Sequence, residues 1–239
     1  VYTGSGNDTI NVSSDADGTR LDPSGDPAGD LDDLLGELCV YANSSDPAPT
    51  VSETVTAKGN VVSATVEVGD TLNISDQASL TDNVYTLDSD RFEKSGQPEI
   101  IFTAIETLNI ETGDGNDEVE IVSTPNASLT TLYTYQGDDQ VDIRDTGEDS
   151  ILLVYTAAGN DLVNIDTTGE RSVTIVDTDG GEDDVNVTTT GDDSGLGVDM
   201  GADSDVLLLE NTGLRSVSEL RLGGVADIAN IRGTGTDSY

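Results

Sequence analysis

The chain has 239 residues and a formal net charge of −39, because 48 acidic side chains face only 9 basic ones. This charge argues against binding to nucleic acids or to anionic membranes, since both interactions need Lys and Arg. Histidine is absent and cysteine occurs once, which excludes an intrachain disulfide and a Ser-His-Asp or Cys-His catalytic set within the chain. Tryptophan is also absent, so a core must be built from Val, Ile and Leu, as in thin layered β architectures.

The first residues show a strand, a turn and a second strand, followed by an acidic insertion. Residues 1–12 read VYTGSGNDTINV, and Asp8 ends the glycine-rich turn between the two strands. The insertion covers about residues 13–37. In it, Asp15 and Asp17 precede a glycine, a pattern that suits either a flexible calcium loop or a solvated acidic loop.

The whole region before Ile105 is less regular than the rest of the chain, and its part from Asp30 onward contains several candidate elements. Four leucines at helical spacing behind Asp30 predict a short helix that covers the core: Leu31, Leu34, Leu35 and Leu38. Residues 38–41 resemble residues 152–155, so Cys39 is expected to face outward as a free or intermolecular thiol. Residues 66–74 indicate a coil anchored on Asp70, and residues 80–110 indicate a strand, a surface loop and re-entry into regular structure.

From residue 105 onward, three markers recur about every 22 residues. Aspartates after glycine-rich turns recur at intervals of 22, 22, 23, 21 and 22 residues: Asp117, Asp139, Asp161, Asp184, Asp205 and Asp227. Thr-Gly pairs recur every 22 residues, beginning at Thr146, Thr168, Thr190, Thr212 and Thr234. An apolar column has the same interval: Ile110, Leu132, Val154, Val176, Val198 and Leu220. Three markers in phase indicate a solenoid.

Each repeat contains two short β-type runs, and apolar residues alternate in the second, as at Val119 and Ile121. The length would suit a leucine-rich repeat, but the leucine spacing of that repeat is missing. The predicted fold class is therefore all-β, a parallel β-helix (β-solenoid) of about 22 residues per coil. Residues 1–104 are expected to form an irregular solenoid part with insertions at about 13–37 and 80–100. Residues 105–239 are expected to form about six regular coils of the same continuous domain, an internal unit of a larger protein.

The turns at residues 4–10 and 113–119 resemble the RTX, or haemolysin-type, calcium-binding repeat G-G-x-G-x-D-x-U-x. That family forms parallel β-rolls on secreted and surface proteins, with Ca²⁺ between stacked turns. The resemblance implies Asp8 and Asp117 as calcium ligands, with Asp139, Asp161 and Asp184 in degenerate copies. Family repeats recur about every nine residues, whereas this chain has one such turn per 22 residues. Stacked aspartates repel each other, so either Ca²⁺ or backbone N–H groups must relieve the repulsion.

N-glycosylation sequons are a further candidate feature. They occur at Asn7, Asn11, Asn43, Asn73, Asn126 and Asn186. Asn11, Asn73 and Asn186 each lie between two inward apolar residues of a strand, so their side chains are expected to point outward. Asn7 lies inside a turn that calcium would occupy and is a poor acceptor.

These features predict a structural component of an extracellular filament or cell-surface layer, built by end-to-end stacking of acidic units. The expected contact joins residues 1–12 of one unit to residues 220–238 of its neighbour, because open solenoid ends expose strand edges. The alternative is a calcium-dependent adhesin or carbohydrate-binding module with glycans as partners. Adaptation to high salt would also produce this charge. Enzyme activity, nucleic-acid binding and membrane insertion are not expected, and the basic residues Arg91, Lys94, Arg144 and Arg171 form no cluster in the sequence.

Overall fold

The computed structural model describes residues 1–3, 6–13, 31, 36–42, 48–224 and 226–239. Every regular element in this part of the chain is a β-strand. The strands are β1 (Thr9–Val12), β2 (Leu38–Tyr41), β3 (Thr50–Ala57), β4 (Asn60–Glu67), β5 (Thr71–Ser75), β6 (Val84–Asp88), β7 (Arg91–Lys94), β8 (Ile100–Thr103), β9 (Thr107–Glu111), β10 (Glu118–Ile121), β11 (Leu129–Tyr133), β12 (Gln140–Ile143), β13 (Ile151–Tyr155), β14 (Leu162–Ile165), β15 (Val173–Asp177), β16 (Asp184–Val187), β17 (Gly195–Asp199), β18 (Val206–Leu209), β19 (Val217–Arg221) and β20 (Ile228–Ile231). The described ranges contain no helix long and apolar enough to cross a bilayer.

Two sheets enclose the core. Sheet I has eight strands in the order β1-β5-β9-β11-β13-β15-β17-β19, and sheet II has ten in the order β2-β8-β7-β6-β10-β12-β14-β16-β18-β20. From β9 onward the chain alternates between the sheets, and each strand pairs in parallel with the strand one coil later. The predicted parallel β-solenoid with coils of about 22 residues is therefore confirmed.

The apolar columns stack in register along the solenoid. In sheet I, Leu132 pairs with Ile110 and Val154, and the same column continues to Leu220. In sheet II, Ile121 pairs with Ile143 in a column that continues through Ile165, Val187, Leu209 and Ile231. Apart from Ile231, which is exposed, both columns pack in one core, in which each fully buried Val, Leu or Ile contributes about 1.5–3 kcal/mol.

A β-hairpin on the outer face of sheet I was not predicted. Strands β3 and β4 pair antiparallel, and the hairpin carries Val55, Ala64 and Val66 onto Ile151 and Val173 of sheet I. Residue 66 is thus in the hairpin, and the coil that follows begins only at β5. The prediction of one coil over residues 66–74 was wrong at its start, because alternating Val and Thr suit a hairpin as well as a coil.

Residues 80–110 contain more sheet than predicted. After β6, the chain turns back into β7 and then into β8, which adds two antiparallel steps to sheet II. The predicted surface loop is a turn at residues 95–97, closed by the Gln97 N–H to Lys94 C=O hydrogen bond. Strand β2 pairs with β8 in sheet II, whereas residues 152–155 lie in sheet I, so the alignment of these two segments was wrong.

The acidic insertion lies mostly outside the described residues, as do Asp15, Asp17 and Asn43. The helix predicted over residues 30–38 therefore cannot be compared with the structure over most of its length. Its two described leucines differ from each other. Leu31 is buried in the core, and its N–H donates to Asp76 Oδ1 at 2.7 Å. Leu38 begins strand β2.

Candidate functional site

A column of buried aspartates runs along the corner where the chain enters sheet II. Its members are at most 2% exposed and immediately precede the strands β10, β12, β14, β16 and β18: Asp117, Asp139, Asp161, Asp183 and Asp205. The N–H of Asp117 donates to Oδ1 of Asp139 at 2.8 Å, and the N–H of Asp139 donates to Oδ1 of Asp161 at 2.9 Å. The same bond recurs at Asp161, Asp183 and Asp205, the last of which donates to Asp227. Each carboxylate thus satisfies a buried N–H of the preceding coil.

Burial raises the pKa of these carboxyl groups, because desolvation penalises the charged form. The pKa is raised to about 7 for Asp139 and to about 6 for Asp161, and it is also raised for Asp117, Asp183 and Asp205. The second oxygen, Oδ2, is buried without a hydrogen-bond partner in Asp139, Asp161, Asp183 and Asp205. In this column, each carboxylate accepts a hydrogen bond from a backbone N–H, but its negative charge is poorly solvated.

Threonine hydroxyls accompany this column inside the core. Thr134 and Thr156 are fully buried and oppose the rise in pKa of Asp139 and Asp161, respectively. The Oγ1 atoms of these threonines nevertheless form no hydrogen bond of normal geometry, and neither do the Oδ2 atoms of the two aspartates. A threonine hydroxyl both donates and accepts, so it can donate to an ionised Oδ2 or accept from a protonated one.

The Thr-Gly pairs form a second side-chain ladder at the opposite corner, where the chain enters sheet I. The N–H of Gly147 donates to Thr124 Oγ1 at 2.9 Å, and the N–H of Gly169 donates to Thr146 Oγ1 at 2.8 Å. The same contact recurs at Gly191, Gly213 and Gly235. Here the later coil donates to the earlier one, which is the reverse of the aspartate column.

Two of the predicted calcium ligands do not lie in the aspartate column. Asp8 precedes β1, which belongs to sheet I, and its N–H donates to Asp70 Oδ1 at 2.8 Å. Asp8 therefore lies at the opposite corner from Asp117. Asp184 is an exposed residue of β16 that pairs with Leu162, and Asp183 takes the place assigned to it. Asp117, Asp139 and Asp161 do share one column, as predicted.

Backbone hydrogen bonds join the stacked turns directly at this corner. The N–H of Gly115 donates to the C=O of Gln136 at 2.8 Å, and the N–H of Gly137 donates to the C=O of Ala158 at 3.0 Å. Ca²⁺ requires six to eight oxygen ligands. The described residues contain no group of three or more acidic, His or Cys side chains arranged around a metal position. The described part of this corner therefore shows no assembled cluster of carboxylates for Ca²⁺, and calcium binding stays a prediction.

The side chains of Asn11, Asn73 and Asn186 lie on outer faces, as predicted. Asn73 Nδ2 donates to Asn11 Oδ1 at 2.7 Å on sheet I, and Asn186 Nδ2 donates to Asn164 Oδ1 at 3.1 Å on sheet II. A glycan on Asn73 or Asn186 would replace one hydrogen of the nitrogen that donates in its ladder. Asn126 is exposed and accepts the Glu148 N–H through Oδ1. Glycosylation stays a prediction.

A buried ion pair was missed by the sequence analysis. Lys94 Nζ lies 2.8 Å from Asp76 Oδ2, and the two side chains are 4% and 0% exposed. The Tyr85 hydroxyl also donates to Asp76 Oδ2. These residues join the β6–β7 excursion to the turn after β5, so Lys94 stabilises the packing of β7. Only the presence of a lysine in a short alternating strand could have indicated this pair.

No family model, no curated protein and no solved structure matches this chain. The resemblance to RTX repeats therefore depends on turn motifs alone. The 22-residue coil shown by the strand register differs from the nine-residue spacing of those repeats.

The single cysteine is partly buried and unpaired. The Cys39 thiol donates to Glu37 Oε1 at 3.2 Å, and this hydrogen bond is the main cause of a raised thiol pKa. Less thiolate at neutral pH means slow reaction with maleimide or iodoacetamide. We expect Glu37→Gln to accelerate labelling of the native protein and the control Glu67→Gln to leave it unchanged. Equal labelling rates in both variants would contradict the role of Glu37.

Proposed function

We propose that this chain is a structural unit of an extracellular filament or cell-surface layer, assembled by end-to-end stacking of acidic solenoid units. The support comes from the register of the coils, in which each strand pairs with its equivalent one coil later and the apolar columns continue without a shift. Ile231 continues the inward column of Leu209, yet it is 56% exposed because no described strand covers β20 on that side. A further coil in the same register would bury it. In the proposed assembly, a coil of another unit of the same kind extends the stack in this way.

The distribution of charge favours ends over sides as contact surfaces. The sides carry exposed acidic residues such as Glu118, Asp138 and Glu148, which repel parallel rods. At the other end of the described stack, β1 is the outermost strand of sheet I, and the backbone of residues 1 and 3 bonds to Cys39 and Tyr41 of β2. The Thr3 hydroxyl donates to Asp70 Oδ2 at 3.3 Å. Edge strands pair readily with other strands when nothing covers them.

Sedimentation velocity and electron microscopy at increasing salt test this proposal. We expect rods that lengthen with ionic strength, because salt screens the repulsion between units of net charge −39. Ile231→Asp should prevent growth by placing a charge in the apolar end surface. Val61→Asp is the matched control, because Val61 is 57% exposed on the side of the solenoid.

Monomers at every salt concentration, or equal assembly by the two variants, would overturn end-to-end stacking. Bundles that form through their sides, with Ile231→Asp still assembling, would also contradict it. Circular dichroism of both variants checks that the coils remain folded.

A further inference from the structure

The β3–β4 hairpin has one edge that faces a groove. The turn consists of Lys58 and Gly59, with φ values of 51° and 82°, which is the geometry of a two-residue type I′ hairpin. In such a hairpin the closing pair, Ala57 and Asn60, is hydrogen-bonded, and hydrogen-bonded pairs then alternate with non-hydrogen-bonded ones. The register therefore fixes which backbone groups of β4 point toward β3 and which point away from it.

Val61, Ser63 and Thr65 are in the non-hydrogen-bonded pairs, so their N–H and C=O groups point away from β3. The side chains agree with this assignment. Ser63 Oγ lies 2.8 Å from Thr54 Oγ1, and Thr65 Oγ1 lies 2.6 Å from Ser52 Oγ. Such close approach is typical of non-hydrogen-bonded pairs, whose Cα atoms are nearer to each other. No other described strand pairs with β4.

The free edge of β4 forms one wall of a groove of about 370 Å³. The residues of that wall are Val61, Val62, Ser63, Ala64 and Thr65. The opposite wall is made by Asp149, Arg171 and Asp193, which occupy the same corner position in three successive coils. Five strand residues span roughly 13 Å and three coils span roughly 10 Å, so the edge runs along the solenoid axis beside these corners.

The corner wall carries more carboxylates than guanidinium groups. Asp193 is paired with Arg215. Arg171 contacts three carboxylates, those of Glu148, Asp149 and Glu170, at 3.3, 2.7 and 2.9 Å, and all of these side chains are about half exposed. One guanidinium therefore faces three negative charges, in a chain whose net charge is −39. A second copy of this chain would bring like charge to the groove, whereas a basic segment would gain favourable interactions.

We propose that this groove binds an extended, lysine- or arginine-rich polypeptide segment of another protein, which adds a third strand to the hairpin at β4. Backbone bonds to Val61, Ser63 and Thr65 hold the segment, and its basic side chains contact the acidic corners. Alternate residues of the segment face Arg171 and its carboxylates. This surface lies on the side of the solenoid, so binding there is independent of end-to-end stacking.

Fluorescence anisotropy of the intact protein with a labelled peptide of alternating lysine and valine tests the proposal at physiological salt. We expect Ser63→Pro to weaken binding by about tenfold or more, because it removes an outward N–H and places a ring at the edge. Thr54→Pro is the matched control: Thr54 is the cross-strand partner of Ser63, and its N–H points to the other edge of the hairpin. The Thr54→Pro variant should bind the lysine-valine peptide with the same affinity as the unmodified protein.

Two further measurements separate strand addition from attraction by charge. A peptide with proline at every second position should not bind, and a glutamate-valine peptide should not bind. Amide exchange at Val61, Ser63 and Thr65 should slow when the lysine-valine peptide is bound. Equal binding of the proline-containing peptide, equal binding by both hairpin variants, or no slowing of exchange would overturn the proposal. If Ser63→Pro unfolds the hairpin, the exchange measurement on the unmodified protein still decides.

Discussion

Raising the pH from about 4 to about 7 is expected to destabilise the fold. The unfolded carboxyl groups ionise near 3.8, whereas Asp139 and Asp161 in the folded state ionise near 7 and 6. Between these values the folded state holds more protons than the unfolded state, so the free energy of unfolding falls as the pH rises. Below 3.8 both states are protonated, and the stabilisation is complete. Thermal unfolding followed by circular dichroism across this range measures the effect.

Asp139→Asn isolates the contribution of the column. The amide keeps an oxygen for the Asp117 N–H and gains an N–H beside Thr134, while it removes the buried charge. At pH 8 we expect this variant to be more stable than the unmodified protein by on the order of 3 kcal/mol, with a flatter pH dependence. Asp138→Asn removes the same formal charge at an exposed position, where the equivalent residues one coil away are Asn116 and Asn160. Asp138→Asn should change the slope much less than Asp139→Asn, because Asp138 is the last in order of size among the causes that shift the pKa of Asp161.

The same variants test calcium binding. If Ca²⁺ neutralised the column, Asp139→Asn would be destabilised in calcium, and EDTA would lower the melting temperature of the unmodified protein. Our expectation is that EDTA leaves the melting temperature unchanged, because the carboxylates already accept backbone N–H groups. A melting temperature that depends on calcium would restore the ligand assignment suggested by the RTX-like turns.

Gly181→Ala is expected to destabilise the solenoid by about 3 kcal/mol or more. Gly181 has φ +151°, and a Cβ atom there would lie 1.5 Å from the carbonyl oxygen of Gly159 in the preceding coil. Backbone stacks directly on backbone at this position, so no side chain can move aside to make room. One coil later, Asp203 occupies this position only with a different φ of 78°.

Gly180→Ala is the control, one residue away in the same turn. A Cβ atom at Gly180 would meet nothing within 4 Å, and the bridged residues in the adjacent coils are Ala158 and Ala202. We expect its midpoint of denaturant unfolding to match that of the unmodified protein. Similar losses in both variants would mean that the turns tolerate displacement and that backbone stacking does not set their geometry.

Most features of the regular coils, such as their length and their inward columns, could be predicted from the 22-residue repeat. The in-phase apolar columns were sufficient because each residue of a solenoid strand contacts its equivalent one coil later. The aspartate column was missed at one position because Asp183 and Asp184 are adjacent, and only the strict 22-residue interval from Asp161 selects Asp183. Asp8 was misassigned because a Gly-Asn-Asp turn suits either corner of a coil.

The hairpin and the buried Lys94–Asp76 pair could not be predicted from the sequence patterns, for a different reason. The alternation of Thr and Val in β3 and β4 fits any half-buried strand, and only the Lys58-Gly59 turn distinguishes a hairpin. The ion pair joins segments that lack the 22-residue period, so no register related them before the fold was known. Regular repeats carry tertiary information in the sequence, and single insertions do not.

The two ladders at opposite corners limit how such a chain can change its length. In one ladder a backbone N–H donates to an aspartate of the next coil, in the other a glycine N–H donates to a threonine of the previous coil, and both contacts recur every 22 residues. Gain or loss of one whole coil by duplication or deletion leaves every ladder atom opposite a partner of the same kind. Loss of a single residue would instead misalign both ladders and the apolar columns. Length can therefore evolve in steps of one coil, about 4.8 Å of rod each, while the cross-section stays constant.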